Sequence, residues 1–364
     1  MKKIGIDARL YSQTGVGTYI SNFLFYLDKK NNNNFLYYVY LIEDDFNKVK
    51  FDSKNLIKKK ANFHWHSLAE QISFLFLLLK DNLNLMHFTY FSYPVFYPKK
   101  FIATVHDLTP LFFKTGKSST KSPLIYKIKY TVLSFVLKNQ IKNAEAIITP
   151  SFAIKKQIIS FYGGEYEKKI FSIPEGVDYQ LFQSFKSRFF KKKFNFKFFI
   201  YVGNFYPHKN IERLIEAFSK IKQPIKLILI GPDDFFAKKT QAIIRLFNLK
   251  KKIFIYHPRS KSELAFFYRN AQALIHPSLS EGFGLPLLEA AYFNCPIIAS
   301  DIEVFKEILG REYLSFDPYC SEDIAEKINF FLQKKPKFNY QKIIQKYSFK
   351  KMTDEILKIY QQVI

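Results

Sequence analysis

Cysteine is nearly absent from this chain of 364 residues: Cys295 and Cys320 are the only two. Neither forms a Cys-x-x-Cys pair or stands near a histidine at zinc spacing, which argues against a disulfide framework and a structural zinc site and fits a reducing compartment. Long apolar runs are missing as well. The longest, residues 72–79, ends at Lys80, far short of the roughly 20 residues that span a bilayer. Asp7 and Arg9 interrupt the N-terminal apolar stretch before a signal-peptide core can form. A cytoplasmic location is therefore expected.

Acidic residues are scarce too, 31 against 56 Lys and Arg, for a formal net charge of +25. Such a balance suits nucleic acid, an anionic membrane face or a phosphorylated substrate. Composition bias competes as an explanation, because Lys, Asn, Phe, Ile and Tyr rise together when a coding sequence is rich in A and T. The lysines are scattered and no RRM-like or helix-turn-helix signature occurs, so nucleic acid is not expected as a partner. Peripheral contact with an anionic membrane stays open.

The length and the 48% hydrophobic content exceed what one core serves, since single cores stop growing at roughly 250–300 residues. The pattern divides accordingly. Strand-like runs at 3–7, 35–42, 85–88, 101–105 and 146–148 alternate with helical patterns at 19–27, 67–79 and 124–142. The same rhythm restarts with strands at 198–202, 225–230, 253–256, 273–276 and 296–299 and helices at 211–220, 240–247, 262–270 and 285–293. Alternation of this kind implies parallel sheets covered on both faces. Residues 183–195, with three successive lysines and no apolar period, read as the linker, and Asn31 to Asn34 read as a surface loop. Residues 349–364 are again helical, with a destination that periodicity leaves open.

The chemistry concentrates in His276-Pro277-Ser278-Leu279-Ser280-Glu281-Gly282-Phe283-Gly284-Leu285-Pro286-Leu287-Leu288-Glu289. A strand ends near His276, a glycine loop follows, and Pro286 suits the first turn of a helix. A helix start at the carboxyl edge of a parallel sheet favours a phosphate. Eight helical residues would separate Glu281 from Glu289 by about 12 Å, whereas a glycosidase pair needs about 5–9.5 Å. Two carboxylates so spaced suit the two ends of one long ligand.

This segment resembles the signature of the retaining glycosyltransferases of family four, which have the GT-B fold: two Rossmann-like, doubly wound α/β domains facing a cleft. By resemblance Glu281 contacts the transferred sugar, the backbone of Gly282, Phe283, Gly284 and Leu285 meets sugar and phosphate, and Glu289 bonds the ribose hydroxyls. The segment Tyr201-Val202-Gly203-Asn204-Phe205-Tyr206-Pro207-His208-Lys209-Asn210 resembles the donor-domain glycine turn. It implies a diphosphate contact for Gly203 and Lys209, and Asn204 occupies a place where the family commonly has Arg, with His208 or Arg213 as substitutes for the missing cation. Gly15 and Gly17 resemble the first donor loop. His106 resembles the family's cleft histidine, and Asp107 is placed to orient its ring. Glu175 stands where the family often has Asn and receives no role.

The resemblance implies an N-terminal acceptor-side domain over 1–182, joined by a C-terminal helix at about 347–364, and a donor-binding domain over 196–346. The catalytic residues implied are Glu281, His106 and Lys209. No Asp-x-Asp triplet occurs and His64-Trp65-His66 lacks a third ligand, so no metal and no cofactor are expected beyond a nucleotide diphosphate sugar as co-substrate. The implied reaction moves a hexose, mannose from GDP-mannose, to a glycan or lipid-linked acceptor in surface polysaccharide synthesis. A UDP-glucose or UDP-galactose donor and a nucleotide-sugar epimerase on the same fold are the alternatives.

Overall fold

A computed structural model of the chain describes residues 1–30, 34–113, 123–178, 181 and 195–364. Residues 31–33 of the asparagine run, and the linker placed at 183–195 apart from Asn195, lie outside the described residues. Two units are present, one formed by Met1–Gly176 with Ser348–Ile364 and the other by Val177–Tyr347.

The first unit holds seven strands: β1 (Lys2–Asp7), β2 (Phe35–Leu41), β3 (Leu56–Lys60), β4 (Leu85–Phe88), β5 (Phe101–Thr104), β6 (Ala146–Thr149) and β7 (Ile170–Ser172). All their pairings are parallel, in the order β3-β2-β1-β4-β5-β6-β7. β4, β5 and β6 are buried along their whole length, as strands covered on both faces must be. The edge strand β3 reads Leu-Ile-Lys-Lys-Lys, and lysines on an edge discourage pairing with another chain.

The second unit repeats the plan with β8 (Phe198–Val202), β9 (Lys226–Ile230), β10 (Ile253–Tyr256), β11 (Leu274–His276), β12 (Ile297–Ser300) and β13 (Leu314–Phe316). Its parallel order is β10-β9-β8-β11-β12-β13. Both sheets therefore reverse direction beside their first strand, between β1 and β4 and between β8 and β11. Doubly wound sheets bind ligands just outside the carboxyl ends of the strands at this point.

In the first unit the Val16–Lys29 helix buries Tyr19, Ile20, Phe23, Leu24 and Leu27 on one face. It starts where Gly17 lies so close to the preceding loop that a Cβ there would stand 2.4 Å from the Tyr11 carbonyl oxygen, a space only glycine can share. The Phe349–Val363 helix packs beside it, burying Met352, Ile356, Ile359 and Tyr360. The Tyr360 hydroxyl reaches His87 Nδ1 at 2.7 Å, and His87 Nε2 meets Thr104 Oγ1 at 2.8 Å. Burial, helped by nearby His106, lowers the His87 pKa to about 3, so this internal chain of hydrogen bonds is neutral.

A charged cluster lies beneath the β1–β4 switch point. Arg9 is wholly buried and donates to Asp7 (2.8 and 2.7 Å), to Glu70 (2.7 Å) and to the Phe63 carbonyl (3.2 Å), with its guanidinium 4.0 Å from the centre of the Phe74 ring. Glu70 opens a π-helical turn, Glu70–Phe74, that precedes the Leu75–Asp81 helix. Burial alone would lower the Arg9 pKa, but Asp7 and Glu70 outweigh it and raise the pKa above its ordinary value. Removing one partner of such a buried set strands the other charge. Glu70→Ala is therefore expected to cost about 3–5 kcal/mol in urea unfolding, whereas Glu43→Ala, which breaks the exposed pair with Lys60, should cost below about 1 kcal/mol.

Candidate active site

In the second unit the loops after β8 and β11 lie side by side. Leu279 N–H donates to the His208 carbonyl at 2.8 Å. Asn210, in the left-handed conformation at φ 59°, donates from Nδ2 to the carbonyls of Pro277 (3.0 Å) and Pro318 (2.7 Å). Gly203 and Asn204 open the β8 loop, and the Asn204 carbonyl accepts from the Tyr201 hydroxyl at 2.6 Å. This frame brings Lys209 and Glu281, 72 residues apart, into contact.

Three donors converge on one oxygen of Glu281. Lys209 Nζ lies 2.6 Å, Ser278 Oγ 2.7 Å and His276 Nε2 2.9 Å from Oε1. Burial would raise the Glu281 pKa, but the Lys209 charge and the hydrogen bonds from His276 and Lys209 overcome it and hold the carboxyl well below its usual range. His276, the last residue of β11, is buried between Tyr201 (ring centres 5.6 Å apart) and Phe305 (5.5 Å). Burial also lowers its pKa. The ring is thus neutral, with its proton on Nε2 toward Glu281 and Nδ1 without a hydrogen-bond partner among the described residues.

Gly282 and Phe283 continue the loop to Gly284, which precedes the Leu285–Tyr292 helix at φ 106°, where no side chain caps the helix. The Phe152–Tyr162, Phe235–Leu246 and Lys261–Asn270 helices, by contrast, are capped by Ser151, Asp234 and Ser260. Uncapped N–H groups at a helix start are ready donors for an anion. Further along the same helix Glu289 is buried and accepts from the Tyr268 hydroxyl at 2.7 Å. Its pKa is pushed up to about 7, chiefly by burial and with a contribution from Asp178, against the pull of Lys261 and Tyr268. Lys261 in turn pairs with Asp178 at 2.7 Å. One site thus holds a firmly ionised carboxylate at its loop and a carboxyl that titrates near neutrality on its helix.

The first unit carries the remaining sequence-predicted residues. Gly15, at φ 72°, precedes the Val16–Lys29 helix, again without a side-chain cap. His106 is buried after β5, with Nε2 2.9 Å from the Thr89 carbonyl and Nδ1 3.3 Å from Glu175 Oε1. Asp107 was expected to orient that ring, but its carboxylate accepts from Thr109 N–H at 2.8 Å and braces the following turn. The carboxylate at the ring is Glu175, to which the sequence assigned nothing. Arg213, considered as a second cation for a diphosphate, donates to the Tyr319 carbonyl.

Residues 183–351 match the family model described as glycosyl transferases group 1. This stretch, a little under half of the chain, is similar to that family. Among curated relatives, the O-antigen chain mannosyltransferase RfbU of Salmonella typhimurium is 31% identical over 255 residues, which cover 70% of this chain and 66% of RfbU, just under two thirds of its length. Among solved structures, the sucrose-phosphate synthase of Thermosynechococcus elongatus superposes over 100% of this chain and 99% of its own with a TM-score of 0.81 at 17% identity. Anabaena Alr3699/HepE, solved with UDP and glucose, covers 100% of both chains at a TM-score of 0.75 and 15% identity. At these identities the superpositions establish the shared two-domain fold.

Sequence reasoning missed His276, Tyr268 and Asn210 as parts of this candidate site. His276 had a signal, since it ends the strand that feeds the signature loop; Tyr268 had none, because its contact with Glu289 spans 21 residues and two elements. Asn210→Ala is expected to lower stability by about 2–4 kcal/mol, through the left-handed backbone and the two stranded carbonyls. Asn210→Gly should recover the backbone share, as read by urea unfolding of the two variants.

Proposed function

We propose that this chain is a retaining, metal-independent hexosyltransferase that moves mannose from GDP-mannose to a hydroxyl of a glycan or lipid-linked acceptor in surface polysaccharide synthesis. The observation that carries the reading is the Glu281 carboxylate, kept ionised by Lys209, His276 and Ser278 beside an uncapped helix start. RfbU, a mannosyltransferase by name, supports the choice of sugar.

The chemistry follows from the electrostatics. Departure of a nucleotide diphosphate builds negative charge, which the N–H groups at Gly284 and Leu285 and the ammonium of Lys209 are arranged to meet. Glu281, held by its Oε1 contacts, presents a negative charge to the sugar as it gains oxocarbenium character. The ring nitrogens of His106 are already engaged by Thr89 and Glu175, so His106 contributes position and field, and the departing phosphate takes the acceptor proton. Glu289 accepts the ribose hydroxyls. An acceptor carried on a lipid would bring the chain to the inner membrane face, toward which its net charge of +25 is attracted; no helix among the described residues is long and apolar enough to cross a membrane.

A thermal-shift screen against GDP, UDP and their sugars tests the donor: GDP-mannose should stabilise the protein most, and Glu289→Ala should lose that stabilisation. The raised pKa of Glu289 sets a pH dependence. The ligand-free fold favours the protonated carboxyl, an advantage complete below the usual carboxyl pKa and lost as pH rises through about 7. Donor hydroxyls favour the ionised form, so donor binding should weaken about tenfold per pH unit below that point. In Glu289→Gln the inflection in a calorimetric pH series should vanish.

A further inference from the structure

The loop after β3 carries His64, Trp65 and His66 in succession, a motif to which the reaction above gives no task. His66 adopts φ 59°, a conformation that is unfavourable for a residue with a side chain and persists only where its surroundings enforce it. The enforcement is visible. His66 N–H is shared between Glu70 Oε2 (3.0 Å) and Ser92 Oγ (3.1 Å), and Ser92 Oγ donates to Glu70 at 2.6 and 2.8 Å. Glu70 is pinned from below by Arg9, itself tied to Asp7 at the end of β1. Arg9, Asp7, Glu70 and Ser92 are all buried, yet the residue they hold in an unfavourable backbone conformation is exposed.

The strained loop presents rings. The His66 imidazole stacks on Phe91 (centres 5.8 Å apart, planes at 24°) and leans on Tyr90 (6.0 Å, 52°). Tyr90 and Phe91 lie 3.8 Å apart. Trp65, half-buried and the only tryptophan of the chain, sets its ring at 67° to that of exposed His64, 5.7 Å away. These rings occupy the carboxyl edge of the first sheet, beside its switch point, where a doubly wound sheet receives ligands.

Two ligand chemistries stack on aromatic rings: nucleobases and sugar rings with an apolar C–H face. The charge beneath the loop decides between them. Its one cation, Arg9, is engaged with two carboxylates and a carbonyl, so the cluster offers no positive charge to a diphosphate and carries one more carboxylate than guanidinium. A neutral polyhydroxylated ring fits that field, and a nucleotide does not.

We propose that His64, Trp65, His66 and Tyr90 form a stacking platform for the sugar ring of the acceptor, held in place by the buried Arg9–Glu70 cluster. The assignment rests on the glycosyl-transfer reading for the word acceptor, but the binding of a sugar to this loop can be tested without turnover.

Trp65 is its own reporter, because tryptophan emission from this protein reads that loop alone. Titration of the full-length protein with octyl mannoside, octyl glucoside and octyl N-acetylglucosaminide should shift the emission saturably for at least one sugar, whereas GDP and UDP should leave it unchanged. In transfer assays Trp65→Ala should raise the acceptor KM about tenfold, the scale of one lost ring contact, with the donor KM and donor-only hydrolysis unaltered and with Trp65→Phe restoring most of the loss. His66→Gly, which keeps the backbone conformation and hence the melting temperature, should reproduce the acceptor effect. Emission indifferent to every sugar, or an acceptor KM unchanged in Trp65→Ala, would overturn the platform. A sugar-dependent emission shift in a protein that neither binds nor hydrolyses any sugar nucleotide would keep the platform and sink the transferase reading instead.

Discussion

One carboxylate oxygen organises the second unit. Oε1 of Glu281 receives an ammonium, a hydroxyl and an imidazole N–H at once, and those donors come from the two loops that flank the switch point of the sheet. The contact joins the β8 loop to the β11 loop and keeps a largely enclosed carboxylate charged against a desolvation that raises its pKa. Asn210 supports the same junction by donating from its side-chain Nδ2 to the carbonyls of Pro277, after β11, and Pro318, after β13. Gly284 supplies the other half, a helix start with no side-chain cap at its N-cap position. A negative carboxylate and a helix start suited to an anion, set close together along the chain, are what a ligand with a cationic transition state and an anionic leaving group requires.

The two carboxyls of the signature are chemically unlike because their surroundings differ. Glu281 has a cation in direct contact, and Coulomb attraction wins over desolvation. Glu289 has a phenol, with Lys261 drawn toward Asp178, and desolvation wins. Identical side chains eight positions apart are thereby prepared for different tasks, one permanently charged and one sensitive to neutral pH. The first unit solves a related problem with an internal ion cluster: buried Arg9 offsets the carboxylates of Asp7 and Glu70 and bonds the Phe63 carbonyl, tying the end of β1 to the segment after β3.

Much of this was legible in the chain. The strands at 85–88, 198–202 and 253–256 match the structure residue for residue, because each is a short, β-rich apolar run; the first two are buried throughout, and the third lies at the sheet edge and is only partly buried. The edge strand β3 escaped notice for the opposite reason: with three lysines in five residues it is patterned to repel a further strand, not to enter a core. The contact between the C-terminal helix and the Val16–Lys29 helix could not be read from either, since periodicity reports which face is apolar and not what covers it. At the candidate site, the residues named from the sequence are those of the contiguous signature. Those that act across distance were missed: Glu175 stands at the ring that Asp107 was expected to orient, and Arg9, which reads as a polar interruption near the N-terminus, is wholly buried.

The central claim is that Glu281 acts on a sugar leaving a nucleotide diphosphate. The most direct measurement is the anomeric configuration of the product, followed by NMR from GDP-mannose in the wild-type protein and in Glu281→Gln. The account predicts an α-linked product from the α-linked donor, and a rate lower by about 10²-fold or more in the variant. An inverted product, or an unimpaired variant, would contradict it.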